Sequence, residues 1–386
     1  MLFLLVSMPE ARALDTYNTY LWNRSNALAG NGQVDRGDWY EWWYFKVVDP
    51  SSREAFYFTY GVVNPWDTGA QLKGSKAMVQ AGDFKTHHIA ETSLPVGDFS
   101  ARYDRTEVHV GRHTASDRHL RGDITGTDGH RLAWDLSLEN DWNFNAMGWA
   151  LRAPGSGIYW YPAQASARVS GWVISGGRKV EFKGAPAYQD RNWGRSFPKW
   201  WTWITSNHFA GAPGAALAIG GGEPPLFGDN YLWSGLCIGF RYRGKEYTFR
   251  STDVGNKVNF DIKWGRWSVS AQNGRGEYIQ IEAHAPPEKF MDLTFQTPRG
   301  PIFHDYEALL GDVRVRLLQW SAPRGKWVRL ADVKSTEAGI EWGSPNPVPL
   351  PASFHFASEK PKNGAFNFNY LKPGGSMGFD SAALAD

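Results

Sequence analysis

From Glu41 onward the chain is written in short runs of alternating apolar and polar residues, the period-two signature of strands with one buried face. Trp42–Val48 and Glu54–Tyr60 flank Asp49-Pro50-Ser51-Ser52 and predict a hairpin. The pattern recurs at Arg118–Thr127 and Arg131–Leu138 around Asp128-Gly129, a favoured hairpin dipeptide. A third pair, Ala165–Ser175 and Lys179–Phe182, closes on Gly176-Gly177. Three more follow: Trp233–Tyr242 with Lys245–Arg250, Trp264–Ala271 with Gly276–Ala283, and Asp312–Trp320 with Lys326–Val333. No stretch keeps a helical period over three turns. Close-set strands with Gly, Asp and Asn turns predict an all-β protein of antiparallel barrels or sandwiches, with helix confined to short pieces.

The 386 residues exceed what one core usually serves, so two domains are expected. The hairpins divide accordingly into a β-domain at 15–192 and another at 193–345. A tail at 346–386 is rich in Pro and Gly. Residues 1–14 resemble the end of a secretory signal: a short apolar run and then Ala11-Arg12-Ala13, without a positive n-region. A signal there implies a periplasmic or secreted protein; a merely docked N-terminus implies a cytoplasmic one.

Composition changes the picture in two places. A net charge of +2 supplies no basic field to recruit nucleic acid, and no apolar run is long enough to span a bilayer. Twenty tryptophans and 42 glycines, however, are far more than a helical protein carries. Indoles fill sheet cores, and they also wall pockets for flat or greasy ligands. Cys237, the one cysteine, sits in an apolar strand and reads as a small hydrophobe, so no disulfide can form within the chain.

The richest segment is Gly184-Ala-Pro-Ala-Tyr188-Gln-Asp190-Arg-Asn192-Trp193-Gly194, continuing through Phe197-Pro198 to Trp200-Trp201-Thr-Trp203 and Asn207-His208-Phe209. With Glu41-Trp42-Trp43-Tyr44-Phe45 it resembles the tocopherol cyclase family, which carries a Glu-x-Trp-Tyr-Phe-like strand early. That family also has an Ala-Tyr-x-Glu-x-Asn-Trp-Gly motif leading to Phe-Pro-x-x-Trp-x-Trp near its middle. The late segments Tyr278–Pro298 and Ala338-Gly-Ile-Glu341-Trp-Gly343 extend the likeness over roughly residues 36 to 343. The resemblance implies two lipocalin-like β-domains with a pocket near their junction, as in related carotenoid and isoflavonoid hydratases and fungal Diels–Alderases. Two departures are visible. Asp190 stands where the cyclases usually have Glu, and Trp42 replaces a common Gly, as in the hydratase-type Glu-Trp-Trp-Tyr.

Closing a chroman ring or hydrating a prenyl group begins with protonation of an unactivated alkene. That requires a carboxylic acid held neutral in an apolar pocket, aromatic faces for a tertiary cation, and exclusion of bulk water. Asp190, between Tyr188 and Trp193, is the candidate acid; the other reading makes Asp190-Arg191-Asn192 a polar turn between domains. His208 and Glu41 are further catalytic candidates, each with a bland counterpart: a satisfied core histidine and a solvent-facing strand charge. Trp42, Tyr44, Tyr188, Asn192, Trp193, Trp201, Trp203 and Asn207 are the candidate substrate-binding residues. Alternation places Trp201 and Trp203 on one face of their strand, with Trp200 and Thr202 on the other.

The remaining motifs carry little. His87-His88 has no third ligand at metal spacing, and His109, His113 and His119 have no partner set. Gly220-Gly221-Gly222 lacks the Lys and helix of a phosphate loop, and no Gly-x-Ser-x-Gly elbow occurs. The sequence therefore predicts a cofactor-independent, metal-free cyclase, hydratase or isomerase for a hydrophobic small-molecule substrate: a prenylated phenol, a quinol or a polyene. Its rivals are a non-catalytic lipocalin-like carrier and a lyase or hydrolase pairing Asp190 with His208.

Overall fold

A computed structural model describes residues 18–31, 33, 37–66 and 75–347. The signal-like segment at 1–14 and the tail from 348 onward lie outside the described residues. Almost everything within them is antiparallel β-structure. Helix is limited to one short piece, Arg24–Ala29, and four single 3-10 turns. No described helix is long and apolar enough to cross a membrane.

The strands form two large sheets. The first has eleven strands between Tyr40 and Gly194. The second has ten, beginning at Trp201–Ser206 and ending with Lys326–Ser344. One sheet is a half-barrel and the other a nearly closed barrel, a lipocalin-like architecture. All six hairpins expected from turn chemistry are present, several with longer arms. The third runs as Ile158–Ser175 against Arg178–Gly194, and the sixth as Ile302–Ser321 against Lys326–Ser344.

The long arm matters most. Arg178–Gly194 continues past its turn to lie between Tyr40–Asp49 and Ile158–Ser175 in the middle of the first sheet. Asp190-Arg191-Asn192 is therefore central strand, paired throughout with Trp42-Trp43-Tyr44 and bulged at Asp190 on its other side, and the polar-turn reading is excluded.

Among the described residues three large apolar cores result, with a small fourth around Leu151, Tyr161 and Trp193. One fills the first sheet's inner face around Trp43, Phe45, Phe58 and Trp134, and another fills the second barrel around Ile204, Leu236, Trp267 and Trp342. The third lies where the sheets meet. Tyr40, Trp42, Tyr44 and Tyr57 from the first sheet pack there against Trp203, Leu293, Phe295 and Phe303 from the second. Each fully buried aromatic of this seam contributes on the order of 1.5–3 kcal/mol, so the halves are held by a core rather than a tether. The candidate site is built into this seam.

Candidate functional site

The side-chain period of a strand decides which residues enter the seam. Tyr44 is paired with Asp190 and Trp42 with Asn192, so these four project to one face of the first sheet. Glu41 pairs with Trp193 and Trp43 with Arg191, and these project to the other face. The even-numbered residues meet the second sheet. The odd-numbered ones meet the chain's lead-in segment.

Between the sheets lies a cavity of about 370 Å³, within the range of small-molecule sites. Trp42, Tyr44, Trp160, Trp201 and Trp203 give it aromatic walls, and Asp190, Asp305 and Glu341 are its acids. Room for the indoles comes from glycines on facing and neighbouring strands. A Cβ on Gly220 would overlap Trp160, one on Gly339 would overlap Trp203, and one on Gly343 would overlap Trp201.

Asp190 is buried and accepts two hydrogen bonds on the same oxygen, Oδ2: from Trp160 Nε1 at 2.8 Å and from the Tyr188 hydroxyl at 2.8 Å. Trp203 Nε1 in turn donates to that hydroxyl at 3.1 Å, which directs its proton toward the carboxylate. Burial pushes the Asp190 carboxyl up to about 7, and the Trp160 and Tyr188 bonds pull it back only in part. With Oδ2 saturated by donors, the acid proton belongs on Oδ1.

A second acidic group faces it from the other sheet, and none of its members was identified from sequence as a site residue. Glu307 lies directly across the ladder from Glu341, and Asp305 lies across from Gly343. Tyr44 donates its hydroxyl proton to Glu307, and Trp201 Nε1 donates to Asp305 at 3.1 Å. Burial pushes Glu307 up to about 8, despite the opposing effects of Tyr44 and of the Lys46 ammonium. Burial, with the neighbouring carboxylates, also drives Asp305 and Glu341 well above the usual range. Lys46, buried beside them with its ammonium 5.2 Å over the Trp203 ring, is lowered to about 8 by desolvation. Asp305 and Glu341, which line the cavity, thus sit with Glu307 behind them in a buried acid cluster whose surroundings favour the protonated forms. The sequence signal was the run Phe303, Asp305, Glu307, Leu309, in which two carboxylates share a strand face with apolar residues.

Most of the other candidates fall outside the cavity. Glu41 is fully buried, but on the opposite face, where its carboxylate meets Arg191 Nη2 at 2.7 Å. It also accepts the backbone N–H groups of Leu21 and Trp22 at 3.1 and 2.6 Å, pinning the lead-in segment. Trp193 follows the same face and stacks on the Arg191 guanidinium at 4.3 Å. Asn207 donates to the carbonyls of Ala167 and Ala187 at 3.1 and 2.8 Å, a strut between backbones. The His208 side chain is half exposed and pairs with Glu337 at 3.0 Å, away from Asp190. Tyr188 stands behind the wall and acts on it through Asp190. Asn192 lines the cavity and accepts the Tyr40 hydroxyl at 2.8 Å. Cys237 sits in the cavity lining, its thiol pushed up to about 12 by burial and so kept protonated. Among the described residues, no three His, Cys, Asp or Glu gather as metal ligands.

Two lipocalin-like sheets closing on an aromatic cavity, with a buried carboxyl group in its wall, define the class of protein by its fold. The profile of the family described as "Tocopherol cyclase-like" matches residues 140–344, more than half of the chain, and the chain belongs to that family. A probable chloroplastic tocopherol cyclase of Oryza sativa subsp. japonica is 26% identical over 79% of this chain and 75% of its own length. The chloroplastic tocopherol cyclase of Zea mays is 25% identical over 87% and 81%. Among solved structures, CghA with Sch210972 aligns at 10% identity and a TM-score of 0.48 over 82% of this chain and 91% of its own. Kievitone hydratase from Nectria haematococca aligns at 13% and 0.45, over 79% and 88%.

Proposed function

We propose that this chain is a cofactor-independent cyclase or hydratase that protonates an alkene of a lipophilic substrate, with Asp190 as the acid. The observation that carries the reading is a buried carboxyl group pushed up to about 7 in the wall of an aromatic cavity. Asp190 Oδ1 delivers its proton to the less substituted alkene carbon, leaving a tertiary cation against the faces of Trp42, Trp160, Trp201 and Trp203. A phenol oxygen of the same substrate, or one admitted water, forms the new C–O bond. Its proton returns to Asp190, so the cycle closes with no net redox change. A prenylated phenol, a quinol or a polyene meets these requirements, and membership of a tocopherol cyclase-like family is consistent with such a substrate.

The acid works only when protonated, so turnover should fall as pH rises through about 7. Asp190→Asn keeps the size and most hydrogen bonds but removes the acid. Its turnover should drop at least about a hundredfold, with ligand affinity within a few-fold of the parent. Folded Asp190→Asn protein with full activity would end the proposal. Recovery of bound ligand unchanged after long incubation with the parent protein, read by mass spectrometry, would make the chain a carrier.

A further inference from the structure

Among the described residues, large apolar side chains are exposed at few places, and those places are not scattered. Of the six strongly exposed ones among the described residues, five are Trp149, Phe227, Tyr231, Leu232 and Val254; Ile302 is the sixth. All five lie in three loops, at 147–157, 223–235 and 252–254, and the same loops supply Trp149, Phe227, Trp233 and Thr252 to the cavity wall. Leu232 adjoins Trp233, and Val254 lies two residues beyond Thr252. The apolar cavity therefore continues outward into an apolar rim.

The loops are tied together as a frame. Phe227 N donates to the Gly155 carbonyl at 2.6 Å, Gly157 N to Pro225 at 2.8 Å, and Trp149 Nε1 to Thr252 at 3.3 Å. The Tyr231 hydroxyl donates to the Phe197 carbonyl at 3.1 Å. On this frame Val254 is 84% exposed, Phe227 73%, Leu232 67% and Trp149 60%. Side chains standing that clear of their neighbours form separate tips, which suits insertion into a fluid phase better than a flat, dry protein contact.

Charge points the same way. Each carboxylate on these loops has a cationic partner: Glu223 with Lys199 at 3.8 Å, Asp253 with Arg250 at 3.0 Å, and Asp229 with Arg299. The rim thus presents no unpaired negative charge to a lipid headgroup. With the chain's near-neutral balance, nothing makes anionic lipid a requirement.

We propose that the Trp149–Phe227–Leu232–Val254 rim docks on a lipid bilayer surface, so that substrate passes from the membrane into the cavity without crossing water. The route rests on the lipophilic-substrate reading above; the docking itself does not. The test is co-sedimentation of the full chain with phosphatidylcholine vesicles, using Leu232→Glu/Val254→Glu, whose side chains do not line the cavity. The parent should pellet with vesicles. The double variant, folded by circular dichroism, should partition about tenfold less or weaker still, because interfacial binding scales with inserted apolar area. Adding anionic lipid should change the parent's partition less than about twofold.

A parent that stays in the supernatant overturns the proposal, as does a double variant that pellets like the parent. So does a parent that ignores vesicles but self-associates through the rim, with the variant monomeric by light scattering. Asp190→Asn separates this proposal from the acid reading. It should bind vesicles like the parent, and if it also keeps full turnover, the acid reading fails while the docking stands.

Discussion

The hydrogen bond from Tyr188 to Asp190 allows the acid reading to be tested without knowing the substrate. Tyr188→Phe deletes one of the two donors on Asp190 Oδ2 and leaves the Trp160 bond at 2.8 Å in place. A hydrogen bond to a charged group is worth about 1.5–3 kcal/mol, and part of that persists when the acceptor is protonated. The difference between the two states is then about 1.4 kcal/mol, or about one pKa unit. The sign is upward, because the lost donor favoured the carboxylate. Asp190, at about 7 in the parent, should move to about 8. The protonated fraction at pH 8 should rise about fivefold. An infrared titration of the buried carboxyl stretch, taken as the difference from Asp190→Asn, reads this directly. The same substitution removes the acceptor of Trp203 Nε1, so melting should register a further loss of about 1–3 kcal/mol. An Asp190 band whose midpoint stays put or moves down in folded Tyr188→Phe would refute the assignment of that hydroxyl as a donor to the acid.

Glu41→Gln should destabilise the fold by about 3–5 kcal/mol, because it removes the negative charge paired with the buried Arg191 guanidinium; an unchanged melting temperature would show the pair to be dispensable. Gly339→Ala should cost about 1–3 kcal/mol by overpacking Trp203 and should weaken ligand binding more than a silent Ala substitution elsewhere on that strand; calorimetry of both variants decides it. Asp190 and Glu307 both bind their protons more tightly folded than unfolded, at about 7 and about 8. Their contribution to stability is therefore complete below about pH 4, the unfolded carboxylate range, and is lost as pH rises through 7 to 8. Denaturant midpoints that climb across that interval in the parent, relative to Asp190→Asn, would contradict the raised values.

The hairpins were legible because turn chemistry is local: Asp128-Gly129 and Gly176-Gly177 declare their loops within a few residues. The seam was partly legible. Strand alternation alone separates Trp42 and Tyr44 from Glu41, and Tyr188, Asp190 and Asn192 from Trp193. Grouping Glu41 and Trp193 with the acid ignored that period, and the structure turns both to the opposite face. Asp190 was visible as a carboxyl among aromatics, but the upward push on its carboxyl depends on burial by a second sheet. Asp305, Glu307 and Glu341 were invisible as a group because the Glu307–Glu341 pairing is a register between strands, a long-range fact. His208 and Asn207 show the converse. They adjoin the motif in sequence, but strand Trp201–Ser206 ends before them, and they turn to Glu337 and to backbone carbonyls.

The glycines at 220, 339 and 343 give the cavity wall a mechanical property. Each of these glycines lets an indole sit where a Cβ would overlap it, so Trp160, Trp203 and Trp201 are closely seated against backbone. A guest arrives at a mould that is already cast. The ordering cost of binding then falls on the guest, which must fold its own chain to match a fixed contour. Under the cyclase reading proposed above, selection among substrates would turn on which coiled conformer of a flexible chain fits, and the ring size of the product would be decided at binding, before any proton moves.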